Sequence, residues 1–276
     1  MITTAQVPGV VSAQGLDVSN YQGRYDWAGA VRQIPALAFG IHRLTQGLGG
    51  AGTSSPDPDA AWNHGQISSY NLIRGAYHFL SSQLGGLAQA RYFAAQIRGL
   101  GPVKATDMFW CDNEDSRGSP AHIASVAADF MNQLHTEFPH NLIGVYSNMS
   151  FAQGGYCAGL GHWPWWAAHP GSAPAGPPVW AKWVFWQWGQ RNGTDADAFN
   201  GTVAGLHQLI GGFAPASGPY RHITDGTESA AQIAARRNLP LDRFLGHQAE
   251  HYSAADWKTL GDVKIPRGTP YYTEQP

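Results

Sequence analysis

Apolar positions in the first 148 residues follow two alternating periods. Short β-branched or aromatic runs have the period of a strand, and between them lie capped stretches whose apolar residues recur every three to four positions. Residues 16–19, 37–44, 73–79, 108–114 and 142–147 read as strands. A first helix covers 26–34, and a second is opened by Asp57 as N-cap with Pro58 at its first helical position. A third carries Leu87, Ala90, Ala94 and Ile97 on one face and is stopped by Gly99. Ser119 and Pro120 cap a fourth, with Ile123, Val126, Phe130 and Leu134 as its apolar stripe. Five βα-type units are visible.

Beyond Asn148 the pattern changes, because Gly, Pro and Trp dominate and nothing up to Gly201 keeps a helical period. Residues 163–169, 184–188 and 195–199 read as strands without helices. The chain is therefore expected to be α/β, a TIM-like β/α barrel with five βα units and three further strands. Its eight strands are expected to be of parallel type, with the last helices missing. Residues 211–219 are rich in Gly, Pro, Ala and Ser, the composition of a linker. The expected organisation is an N-terminal arm at 1–14, a barrel at 15–212, a linker at 213–219 and a small α+β module at 220–276. A helix-like stretch at 228–237, then 241–245, and finally Val263, Ile265 and a Pro-Arg-Gly turn before Tyr271 and Tyr272 fall in that module.

Composition narrows the function classes. No run approaches the ~18 consecutive apolar residues of a membrane span. Residues 1–11 have neither the cationic start nor the apolar stretch of a secretory signal, so no signal peptide is expected. Net charge is −2 with Lys and Arg scattered, which argues against a nucleic-acid partner. Two cysteines, Cys111 and Cys157, are too few for a disulfide framework and lack zinc-site spacing. The twelve His include no His-Glu-x-x-His. Eleven Trp against 13% charged residues favour aromatic platforms, which suit sugar faces as well as a core.

The candidate chemistry begins with Trp-Cys-Asp-Asn-Glu-Asp at 110–115. Side chains at i and i+2 of a strand share a face, so Asp112 and Glu114 project together from the end of the fourth strand. Crowded like charges raise one pKa, so one carboxyl stays protonated as a general acid beside an ionised neighbour, as glycoside cleavage requires. An isolated Asp-x-Glu is more often a solvated loop start or a cap, and Asp115 reads as such a surface group. Asp17, in Gly-Leu-Asp-Val-Ser-Asn-Tyr-Gln-Gly, ends the first strand, and Asp195 starts the last, so four acids are expected at one barrel mouth. Cys111, of opposite parity to Asp112, is expected to face the helices as a buried thiol.

These motifs resemble glycoside hydrolase family 25, the Chalaropsis-type lysozymes, whose first strand reads like Asp-Val-Ser-x-x-Gln-Gly and whose fourth ends in Asp-x-Glu. Phe39-Gly-Ile-His-Arg-Leu-Thr-Gln-Gly47 is similar to the family's second strand, Arg74-Gly-Ala-Tyr-His-Phe79 to its third and Val145-Tyr-Ser-Asn148 to its fifth. Trp166-Ala-Ala-His169, Phe185-Trp-Gln-Trp188 and Asp195-Ala-Asp-Ala-Phe-Asn-Gly201 resemble its closing strands. The likeness runs in order from about Gly15 to Gly212.

The resemblance implies a muramidase that cuts the β-1,4 bond between N-acetylmuramic acid and N-acetylglucosamine in peptidoglycan, with no cofactor and no metal. It implies Glu114 as general acid/base. Asp112 is implied as the carboxylate that stabilises the reacting sugar, directly or through its 2-acetamido group, and Asp17 and Asp195 as supporting acids, with Asp197 the alternative to Asp195. Tyr77, Tyr146, Trp166 and Trp186 fall where the family lines its groove, with core packing the competing role for each. Gln46 departs from the family's Thr-Glu-Gly, removing a charge near the site. The tail resembles a LysM module in Asp225-Gly-Thr-Glu-Ser229, 231–237 and Ile265-Pro-Arg-Gly268, but departs at the asparagine expected after the second helix. A wall-degrading domain with a wall-binding tail implies a phage lysin or virion-carried lytic protein, with phage tail or virion proteins as possible partners. The competing reading is a catalytically weak or inactive structural or wall-binding part of a phage particle.

Overall fold

The computed structural model describes residues 12–50, 55–211, 220–223, 229, 231–232 and 270–273. The chain divides into two compact units, 1–214 and 215–276.

In the first unit eight strands close a barrel in chain order. They are β1 (Gln14–Val18), β2 (Leu37–Gln46), β3 (Ile73–Phe79), β4 (Met108–Asp112), β5 (Leu142–Asn148), β6 (Trp165–Ala168), β7 (Phe185–Arg191) and β8 (Thr194–Phe199). Helices α1 (Trp27–Gln33), α2 (Ala60–Ser69), α3 (Gly86–Gly99) and α4 (Pro120–Glu137) connect the first five strands, and the one-turn α5 (Met149–Gln153) follows β5. Strands β6 and β7 are joined without a helix, as expected. After β8, however, α6 (Val203–Gly211) returns and puts Leu206 and Ile210 into the core.

The expectation of eight parallel-type strands is corrected at β8, which runs antiparallel to both β7 and β1. The cause is local. Only Asn192 and Gly193 separate β7 from β8, both with positive φ (53° and 78°). That is the Asn-Gly hairpin geometry, whereas a parallel return needs a crossover of a dozen or more residues.

Residues of one parity fill the barrel. Phe39 on β2 meets Phe185 on β7 at 5.2 Å, and Trp110 on β4 meets Phe185 at 5.0 Å, contacts that cross the interior. Gly15 on β1 makes room for this layer, since a Cβ there would lie 2.0 Å from the Phe39 ring. Residues of the other parity pack outward in two clusters, one under α1 and α2 around Trp27, the other under α3 and α4 around Phe93 and Phe130. Cys111 belongs to the latter and is fully buried, as its parity predicts.

Two helix details differ from expectation. Asp57 is not the N-cap of α2, which begins at Ala60 after Asp59. Its carboxylate is drawn inward to Arg43 (3.2 Å) and accepts from the backbone N–H of Asn20 and Asp59. On α3 the buried face is Ala90, Phe93, Ala94 and Ile97, while Leu87 is exposed. The α4 stripe is buried throughout, with Ser119 Oγ accepting from the His122 N–H at 3.3 Å.

In the second unit β9 (Tyr220–Ile223) and β10 (Pro270–Thr273) pair antiparallel. The linker, the stretch 241–245 and most of the LysM-like pieces lie outside the described residues. Among the described residues no helix is long and apolar enough to cross a membrane.

Candidate active site

A pocket of about 320 Å³ opens at the C-terminal ends of the parallel strands, where barrel enzymes hold their chemistry. Asp17, Asp112, Glu114 and Asp195 all line it. Asp17 is the penultimate residue of β1, and Asp112 is the last of β4. Because β8 is reversed, its beginning reaches the same rim, and Asp195 pairs with Asp17 across the β1–β8 ladder.

The chain beyond β4 keeps its strand-like alternation because Asn113 is anchored between the two acids. Its N–H donates to Tyr146 O (3.0 Å) and its amide to Tyr156 O (3.2 Å). Asp112 and Glu114 therefore both reach the pocket, Asp112 buried and Glu114 exposed at the mouth. Asp115 is no surface group. It is buried, pairs with Arg117 at 2.7 Å and accepts from Ser82, so hydrogen bonding from Arg117 holds its carboxyl below the usual range. Its role is to fix the loop after Glu114.

Electrostatics distinguish the four acids. Burial, reinforced by the charge of Asp195, pushes Asp17 up to about 7. Burial and then Glu114 raise Asp112 well above the carboxylate range, opposed by the Arg43 guanidinium. Enclosure and the charge of Asp195 raise Glu114, whereas Asp195 is raised chiefly by enclosure. Oδ1 of Asp112 is buried with no hydrogen-bond donor.

Tyr77, Tyr146 and Trp166 line the pocket, with Trp166 almost wholly buried at its base. Trp186 does not, which corrects the groove role expected for it. On β7 the inward parity belongs to Phe185 and Gln187, so Trp186 points outward and packs in the cluster around Trp27. It is 1% exposed and its indole N–H donates to His169 O at 2.8 Å. Asp197 shares Asp195's face but lies beneath the pocket and is fully buried.

Among the pocket residues that sequence reasoning missed, Gln187, Arg43 and Tyr21 matter most to its chemistry. Gln187 donates to Asp17 Oδ2 (2.9 Å) and accepts from the Tyr146 hydroxyl (3.0 Å), coupling three strands. Arg43, in register with Phe39 and Ile41 on the inner face of β2, brings a cation among the acids. Tyr21 stands in the turn after β1, 86% exposed, with the Arg43 guanidinium 5.7 Å from its ring centre. Strand parity signalled the first two; nothing in the spacing signalled Tyr21. Among the described residues no group of His, Cys, Asp and Glu has the arrangement of a metal site.

The model of glycosyl hydrolases family 25 matches residues 16–196. The chain is 28% identical over 214 residues to Lysozyme M1 of Streptomyces globisporus, covering 71% of this chain and 70% of that one. It is 27% identical to the N,O-diacetylmuramidase of Arthroderma benhamiae, covering 73% and 88% respectively. The crystal structure of the bacterial lysozyme from Streptomyces coelicolor superimposes with a TM-score of 0.64 at 27% identity. That match covers 76% of this chain and all of that one.

Proposed function

The chain belongs to glycosyl hydrolases family 25, and on that premise we propose that its pocket hydrolyses the β-1,4 bond between N-acetylmuramic acid and N-acetylglucosamine of bacterial peptidoglycan. The carrying observation is the meeting of Asp17, Asp112, Glu114 and Asp195 around one pocket at the barrel mouth. The lysozyme and muramidase named among the relatives support the substrate class.

Glu114 is the general acid/base, since it reaches the open mouth and its raised pKa keeps it protonated to higher pH than an ordinary glutamate. Asp112 stabilises the reacting sugar. Its donorless Oδ1 supports the indirect route, in which the carboxylate accepts from the 2-acetamido N–H and orients the acetamido oxygen toward the anomeric carbon. Asp17 and Asp195 support this pair, Asp17 being held by Gln187 and Asp195 raising Glu114. Tyr77, Tyr146 and Trp166 form the walls and base, and Tyr21 is a sugar platform at the rim.

Residues 15–212 form the catalytic barrel of this reading, 213–219 a linker and 220–276 a wall-binding module. Together they suit lysis by a phage or wall penetration by a virion. The test is a turbidity assay on purified cell walls with detection of new reducing ends. Clearing with muramic acid at those ends is expected, and binding without cleavage overturns the enzymatic reading. Tyr21 gives a second expected result. Tyr21→Ala should raise KM about five- to hundredfold, the loss of on the order of 1–3 kcal/mol of stacking, and should leave the melting temperature unchanged. An unchanged KM removes Tyr21 from the binding surface.

A further inference from the structure

Below the four acids lies a fifth carboxyl with no part in the mechanism above. Asp197 is fully buried on β8, two residues beyond Asp195 and facing the same interior. Its Oδ1 accepts from the Trp166 indole N–H at 2.8 Å, while its Oδ2 is buried with no donor. Asp17 is its diagonal neighbour across the β1–β8 ladder, where Asp197 faces Gly15 and Asp195 faces Asp17, so the two carboxyls enter the same interior side by side and each acts on the other's proton affinity. Two carboxylates cannot satisfy each other, because each only accepts. A proton on one turns that contact into a hydrogen bond.

Position decides which group keeps the proton. Asp17 is contacted by a donor already, the Gln187 amide, and it lines the pocket. Asp197 is sealed off beneath, where an ionised carboxyl costs most. From these contacts we infer that Asp197 is a neutral carboxylic acid that donates through Oδ2 to Asp17 and accepts through Oδ1 from Trp166, a positioning residue that fixes an acid and the base of the pocket together. The inference rests on the glycosidase reading of the mouth.

Burial and the charge of Asp17 hold the Asp197 carboxyl well above the usual range, in the same sense. The groups that face it are Asp17 on β1, Asp195 on β8, Trp166 on β6 and, through Asp17, Gln187 on β7; Asp17 and Asp195 are the charged ones, both acidic, so each favours the proton.

Asparagine reproduces a protonated aspartic acid here, with a carbonyl for Trp166 and an amide N–H for Asp17. Alanine provides neither. The first readout is the infrared C=O stretch of protonated carboxyl groups in the whole chain at pH 7, which needs no substrate. Parent minus Asp197→Asn should show one such band lost. In the wall assay Asp197→Ala should lose about ten- to hundredfold in kcat, the loss of a hydrogen bond to a charged group. Asp197→Asn should restore kcat to within about threefold of the parent and keep the parent's pH profile. If no band is lost, or if Asp197→Asn loses tenfold or more, Asp197 works as an anion and the inference is overturned. Should Asp197→Ala fail to fold, the band and the asparagine variant decide alone. A parent that does not cleave walls defeats the glycosidase reading while leaving the infrared result to stand or fall separately.

Discussion

Glu114→Gln is expected to lower kcat on natural wall glycan by about 10²–10⁴-fold, the usual share of a positioned general acid. The amide keeps the shape of the side chain at the mouth but has no proton to give to the leaving sugar. A substrate whose leaving group departs as a stable anion needs no such proton, so activity on an activated aryl glycoside should recover substantially in the variant. The pH profile supplies an independent sign. In the parent, Glu114 must be protonated, and both its enclosure and the charge of Asp195 raise its pKa. Activity should therefore fall on the alkaline side as Glu114 ionises, and that limb should vanish in Glu114→Gln with the activated substrate. Equal losses on both substrates would take the proton-donor role away from Glu114.

The acids were legible in the sequence because their placement follows from strand parity. Asp112 and Glu114 are separated by one residue at a strand end, and Asp17 lies next to last in a strand whose alternation is plain, so the same rule that built the barrel aimed them at its mouth. Trp186 was misplaced by neglect of that rule. Phe185 and Gln187 face inward, and their neighbour must face the helices. The reversal of β8 was also written in the chain, as Asn192-Gly193 between two short strands, but the expectation of a barrel of parallel strands overrode the turn chemistry. Asp57 shows the opposite limit. Its sequence context is that of a helix cap, and the arrival of Arg43 from β2 and of the Asn20 N–H after β1 turns its carboxylate inward. Tyr21 and the Asp17–Asp197 contact belong to the same class, since each depends on which residues tertiary structure brings together.

Asp112→Asn is expected to disable the enzyme in a different way. The proton donor stays, but the negative charge that faces the developing oxocarbenium ion, or that accepts from the 2-acetamido N–H, is lost. Removing one such electrostatic group costs about 10²–10³-fold in kcat. A better leaving group cannot restore it, so the activated substrate should give little rescue, in contrast to Glu114→Gln. Stability should move the other way. Burial and the charge of Glu114 hold the Asp112 carboxyl well above its ordinary value in the folded chain, with the Arg43 guanidinium only partly opposing them. Ionising this carboxyl to the anion that the reaction uses therefore costs the folded chain more than the unfolded one, whose Asp ionises near pH 4, and stability falls as pH rises from there through the folded-state value. Asparagine has no proton to lose. The variant should melt at a higher temperature than the parent at pH 7, and the difference should shrink toward pH 4, as scanning calorimetry at the two pH values will show. A destabilised Asp112→Asn would mean that the carboxylate supports the barrel, and near-parental activity in both amide variants would return the chain to a wall-binding or structural role.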